Sequence, residues 1–288
     1  MRCNNLEFGT LYRFVSKRHF FVGSNLVFAP SVQGEHKVRP YGLSPVDGEL
    51  AAWNLEPGTY LASMPARVRP RRGLGQGVPG LQGEKEFLSG LLLEASQRGR
   101  VRDFSLSANS LGQPRILVDG RPGPPISFSW CAGRLFAALG TPDTLIGLDA
   151  ASPEEFTGPY PCERVFNPAE WQAATLLTRG NREEAGALLW SAKEAVVKAM
   201  GWGYRFFGPP RLRLEFQGLG EHGPLWRGHL PAPAADQAPQ AIPNIVPTAS
   251  IRLPRVWLSL AWIQAPAENP ALTQGDNPPL LANDTNYR

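Results

Sequence analysis

An aromatic ring, an acid and a base stand in line in the segment LLWSAKEAVVKAMG (188–201). Trp190, Glu194 and Lys198 are four residues apart on an otherwise largely apolar stretch. A solvated Glu-to-Lys pair at that spacing stabilises a helix by roughly 0.3–0.5 kcal/mol. The same spacing also aims an acid and a base at one charged ligand. A second acid, Asp149, closes the apolar run TLIGLDA (144–150). Two carboxylates from different elements, with water completing the shell, suit Mg2+, which takes one or two protein carboxylates plus phosphate oxygens. Mn2+ accepts the same oxygen ligands. Lys193 and Lys198 would neutralise the phosphates.

The elements that must position these groups are legible from patterning. A helix is expected over 182–200, with Leu188, Ala192, Ala195, Val196, Ala199 and Met200 on its buried stripe and Gly201 as its stop. Before it, FNPAEWQAATLL carries helix-start grammar: Asn167 as N-cap, Pro168 at the first helical position and Glu170 where a capping box wants it. TLIGLDA alternates as a strand, with Ile146 and Leu148 on one face and Gly147 and Asp149 on the other. PRILVDG (114–120), RLFAALG (134–140), RLRLEFQ (211–217) and VWLSLAWI (256–263) are further strands. Leu212, Leu214 and Phe216 point inward, and ISFSWCAG (126–133) lies in the connection between the first two strands. A helix over 83–97 carries a stripe of Phe87, Leu88, Leu91, Leu92 and Ala95. Residues 65–80 form a basic Gly/Pro-rich loop with Arg67, Arg69, Arg71 and Arg72. LPAPAADQAPQAIPNIVP is an extended insert, and the tail from Ala265 is Pro/Asn-rich and expected to be disordered.

Composition narrows the classes. A chain of 288 residues that is 42% hydrophobic and 19% charged has enough apolar mass for one large or two modest domains. Its net charge of +4 suits an enzyme with an acidic substrate or partner and falls short of a dedicated nucleic-acid binder. The run RVRPRR is the one feature that favours nucleic acid, and it lacks interleaved aromatics for base stacking. Cys3, Cys131 and Cys162 are odd in number and have no CxxC spacing, which points to a reducing cytoplasm rather than a disulfide framework or zinc site. No apolar run reaches the roughly 20 residues of a membrane span. FFVGSNLVFAP is interrupted by Gly23, Ser24 and Asn25 and is a poor signal sequence. GLGQGVPG follows RPRR instead of a strand, so it is a loop and not a dinucleotide fingerprint. There is no GxxxxGK[ST] phosphate loop and no Gly-x-Ser-x-Gly. His19, His36, His222 and His229 lie in loops or termini.

Five segments, taken in order, resemble the motifs of the 4'-phosphopantetheinyl transferases. WSAKEAVVKA (190–199) is similar to the family's W-S-x-K-E-A-x-x-K, and FNPAE (166–170) to its F-S-x-x-E. IGLDA (146–150) resembles G-x-D-x-E, ISFSWCAG the S-H-x-x-G turn, and GQP (112–114) the G-K-P element. The resemblance covers roughly 85–217. It implies an α+β fold of two similar halves in one chain, the active site lying between them. On this division residues 1–142 form the coenzyme-contacting half, 143–264 the half with the catalytic motifs, and 265–288 the tail. The implied reaction moves phosphopantetheine from coenzyme A to a serine of an apo acyl or peptidyl carrier protein and releases adenosine 3',5'-bisphosphate. Asp149 and Glu194 match the family's Mg2+ ligands and Lys198 its phosphate-contacting lysine; Glu194, or a water it holds, would deprotonate the serine. Lys193, Ser129, Trp130, Gln113, Arg67 and Arg71 are the other expected coenzyme contacts. Two-half members of this family work as monomers.

The chain departs from the pattern at three positions. Trp130 stands where the family has His, Gln113 where it has Lys, and Ala151 where G-x-D-x-E closes on an acid. Cys131 is no substitute, because a soft thiol is a poor ligand for a hard cation. Either the enzyme is divergent, with water in the ligand gap, charge from the arginine loop and Trp130 stacked on adenine, or the domain binds coenzyme A or a carrier protein without turnover. Keeping Asp149, Glu194, Lys193 and Lys198 together favours activity.

Overall fold

The structure is a computed structural model, and the residues it describes are 10–13, 59–65, 81–97, 103–109, 111–201, 204, 208–220, 223–231 and 244–264. The arginine loop with Arg67 and Arg71, the GLGQGVPG segment, most of the first 55 residues, residues 232–243 and the tail from Ala265 lie outside them.

Two antiparallel sheets carry the architecture, each with one long helix packed on it. The first runs β1 (Thr10–Arg13), β2 (Tyr60–Pro65), β7 (Arg134–Leu139) and β6 (Ile126–Cys131) in that spatial order. Helix α1 (Gln82–Gln97) buries Leu88, Leu92 and Leu93 against Ala62, Leu135 and Leu139 of this sheet. Its apolar stripe is rotated from the expected one: Leu93 is sealed while Phe87 is 43% exposed. A small sheet of β3 (Phe104–Ala108), β4 (Pro114–Val118) and β5 (Arg121–Pro122) stands between α1 and β6 in the chain.

The second large sheet has the order β8 (Thr144–Ala151), β12 (Trp257–Gln264), β11 (Ile245–Arg252), β10 (Pro224–His229) and β9 (Arg213–Leu219). Between β8 and β9 the chain forms a short 3-10 turn (Pro153–Phe156) and the helices α2 (Cys162–Val165), α3 (Pro168–Leu177) and α4 (Arg182–Met200). The capping box on α3 is present, with Asn167 N donating to Glu170 at 2.7 Å. Helix α4 is capped by Asn181, whose side chain accepts from Glu184 N at 2.9 Å, and ends at Gly201 with φ +74°.

Three sequence expectations need correction. ISFSWC is not a connection but strand β6, whose Ser127, Ser129 and Cys131 alternate with Ile126, Phe128 and Trp130. The end of the supposed insert, from Ile245, is strand β11. Phe216 lies at the open face of β9, 36% exposed, its ring 5.5 Å from that of buried Trp226.

The two large sheets share a buried cluster, Leu61, Phe136 and Ala138 of the first packing with Ile146, Leu148, Leu258 and Leu260 of the second, and β6 is tied to β8 by side chains rather than by a backbone ladder. Ser127 Oγ accepts from Leu148 N and Ser129 Oγ accepts from Ala150 N, both at 2.9 Å. Serine is the residue for this work, because its hydroxyl reaches a neighbouring strand's unpaired N–H at the distance where a carbonyl would sit. Asp149 is thereby held at the seam.

Candidate functional site

Helix α4 meets β8 without intervening side chains at one point. A Cβ on Gly147 would fall 2.0 Å from Ala195 O and 2.3 Å from Ala199 N. The glycine two residues before Asp149 therefore permits backbone-to-backbone contact and brings the last turns of α4 onto the acid. Between Ala185 and Met200 every residue of α4 is buried except Trp190, Glu194 and Lys198. Over that span the line picked out by spacing is the strip that is not sealed.

Lys198 Nζ lies 2.6 Å from Asp149 Oδ1 and also donates to Phe128 O at 3.2 Å and Leu148 O at 3.1 Å. Ser129 Oγ donates to the same Asp149 Oδ1 at 2.9 Å. Burial pushes the Asp149 carboxyl above its ordinary range, and Lys198 and Ser129 pull back against it. Glu194 is pushed up to about 7, first by burial and then by repulsion from Asp149, with Lys198 opposing. Among the described residues Lys198 pairs with Asp149 and not with Glu194, so the exposed i,i+4 ion pair is not what this spacing builds. Trp190 packs against the core, its ring 6.1 Å from that of Tyr204.

These groups fit a hard divalent cation. Two carboxylates that repel one another where burial disfavours their charge, one of them paired with Lys198, are an all-oxygen donor set that such an ion neutralises. Among the described residues no three His, Cys, Asp or Glu side chains converge as a metal cluster. Asp149 and Glu194 are the carboxylates that could hold such an ion.

The structure separates the other expected site residues. Lys193 is sealed into the frame of the fold. It is fully buried, its Nζ 2.5 Å from Glu170 and donating to the carbonyls of Leu212 at 2.6 Å, Pro209 at 2.9 Å and Val165 at 3.3 Å. Glu170 in turn accepts from Leu214 N at 2.7 Å. The pair bolts α3, α4 and the start of β9 together on the side of α4 away from Asp149. Trp130 also faces away: it shares the α1 side of β6 with Ile126 and Phe128, while Ser129 faces β8. Gln113 lies against the end of α4, where a Cβ on Gly201 would come within 2.6 Å of its Oε1. Two lysines of one helix thus serve different ends: Lys198 enters the site and Lys193 builds the frame.

Two charged groups join the site unannounced by the motifs. Glu155, on the 3-10 turn after β8, adds to the repulsion on Asp149 and accepts from Cys131 Sγ at 3.5 Å. Its signal is Ser152-Pro153, a cap and first-turn proline that curl the chain back beside β8. Lys85, on α1, lies with its Nζ 5.6 Å from the centre of the Phe128 ring. Burial lowers the affinity of this ammonium for its proton, and Lys198 adds repulsion. No local pattern marks Lys85, since only the packing of α1 on the first sheet brings it there.

Residues 145–230 match the sequence model of the 4'-phosphopantetheinyl transferase superfamily. The match takes in Asp149, Glu170, Lys193, Glu194 and Lys198, and leaves α1 and β6 outside. No curated protein matches the chain.

Proposed function

We propose that this protein transfers the 4'-phosphopantetheine group of coenzyme A to a serine hydroxyl of an apo acyl or peptidyl carrier protein. The observation that carries the reading is the meeting of Asp149, Glu194 and Lys198 along the one unsealed strip of α4, within the segment that the superfamily model matches. The positions at which the chain departs from the family pattern, Gln113, Trp130 and Ala151, leave this trio intact.

In this reading the serine oxygen bonds to the phosphorus that bears the pantetheine arm. The bond from that phosphorus to the bridging oxygen breaks, and the oxygen leaves with adenosine 3',5'-bisphosphate. The serine proton passes to Glu194, directly or through a water that it holds. Lys198 offsets charge that develops on the diphosphate, and Ser129 fixes the orientation of Asp149. A bound Mg2+ would supply further neutralisation of the diphosphate. Excess positive charge on the chain speeds encounter with an acidic carrier surface.

The test is intact-mass spectrometry of several apo carrier proteins incubated with this protein, coenzyme A and Mg2+. The expected result is a gain of one phosphopantetheine that disappears with chelator and with Asp149→Ala. No gain on any carrier, while a control transferase modifies the same samples, would overturn the transfer reading and favour a domain without turnover.

A further inference from the structure

Phe128 sits between two lysines. Lys198 donates to its carbonyl oxygen at 3.2 Å, and Lys85 stands over its ring with Nζ 5.6 Å from the centre. The two cations come from different layers of the fold, α4 and α1, and converge on one residue of β6. Among the described residues no carboxylate lies within ion-pair distance of Lys85. The charged neighbour that acts on it is Lys198, a like charge.

A half-buried ammonium without an acid is unusual, because desolvation disfavours its charge and the face of one phenylalanine offsets that only in part. Repulsion from a second ammonium makes the arrangement worse still. An anion bound between the two lysines reverses both effects at once, since it replaces the lost hydration of each and converts their repulsion into shared attraction. Lys85 is also free to serve: the apolar side of α1 is carried by Leu88, Leu92 and Leu93, and among the described residues no ion pair holds the Lys85 ammonium.

We propose that Lys85 is a phosphate-binding residue, forming with Lys198 a subsite across Phe128 for a phosphate group of the phosphorylated donor. The proposal rests on the transferase reading for the identity of that donor as coenzyme A. It supplies from α1 a positive charge that Gln113 does not provide.

Calorimetric titration with coenzyme A and with 3'-dephospho-coenzyme A, in Mg2+, tests it on wild type, Lys85→Gln and Lys85→Arg. Loss of one charge-assisted contact should weaken coenzyme A binding of Lys85→Gln roughly 10- to 100-fold, with Lys85→Arg close to wild type. The salt dependence of binding should become shallower in Lys85→Gln, which a purely structural role would not produce. If only coenzyme A weakens, the contact is to the 3'-phosphate; if both ligands weaken alike, it is to the diphosphate. Wild-type affinity in Lys85→Gln overturns this proposal and leaves the transferase reading standing. A wild-type protein that binds neither ligand overturns both.

Discussion

Replacing Glu194 by Gln should make the metal-free protein more stable while abolishing transfer. In water a glutamate ionises near 4.5; in the fold Glu194 is pushed up to about 7 by burial and by Asp149. The folded state therefore holds this proton more tightly than the unfolded chain does. The sign follows: the neutral acid costs nothing extra below about pH 4.5, a penalty grows as pH rises, and it is complete above about pH 7. At 1.36 kcal/mol per pKa unit the full penalty at pH 8 is about 3 kcal/mol. The side chain keeps some contact with solvent, so about 1–3 kcal/mol is the expected range. Gln has nearly the same shape and no charge to desolvate. Thermal unfolding in chelator should then place Glu194→Gln roughly 3–8 °C above wild type at pH 8, and much closer to it at pH 5. Adding Mg2+ should raise wild type and not the variant. If the variant unfolds at or below the wild-type temperature at pH 8, or the gap does not widen from pH 5 to pH 8, the claim of an uncompensated buried acid is wrong.

Two further changes probe the frame around the site. Lys193→Met leaves Glu170 as a buried carboxylate without its ammonium, so denaturant unfolding should show a loss of about 3–5 kcal/mol; a coenzyme-binding defect with wild-type stability would restore Lys193 to the site. Gly147→Ala places a methyl carbon against the α4 backbone at Ala195 and Ala199, which should force α4 off β8, lower the melting temperature by several degrees and abolish transfer together; unchanged activity would refute direct contact of helix and strand there.

Long, strongly patterned elements are legible in the amino-acid sequence itself. The 182–200 helix announces itself by its apolar repeat and its stop, Gly201, and α3 by a capping box that is present as spaced. Asp149 stands out because alternation on β8 puts a carboxylate where a buried strand should have an apolar side chain. What the sequence hides is tertiary. Lys193 and Lys198 are both lysines on one helix, and nothing local says that the first is sealed against Glu170 while the second opens to the seam. Strand β6 reads as a connection because its serines weaken the apolar signal, yet those serines are what docks it to β8. The side chain of Trp130 turns away from the site for the same reason: period-2 alternation gives one face to Ser129 and the other to its neighbour.

That alternation also shows what a tryptophan at position 130 leaves undisturbed. The residue that holds Asp149 in place is Ser129, which spends both hydrogen-bonding roles at the seam, donating to Oδ1 and accepting from Ala150 N. Whatever stands at 130 faces α1 and leaves that orientation untouched, so a tryptophan can fill the α1 side without disturbing the acid. The same logic bears on charge. With Lys193 committed to Glu170, Lys198 is the cation on α4 that meets Asp149, and it is partly neutralised by that acid. A site with two carboxylates and one already-paired lysine cannot attract a polyanion by itself. Positive charge must come from elsewhere, either the ion that Asp149 and Glu194 would hold or a cation on a neighbouring element, and among the described residues Lys85 faces Lys198 from across Phe128. Coenzyme binding should therefore depend jointly on metal and on Lys85, each loss making the other more damaging than it is alone.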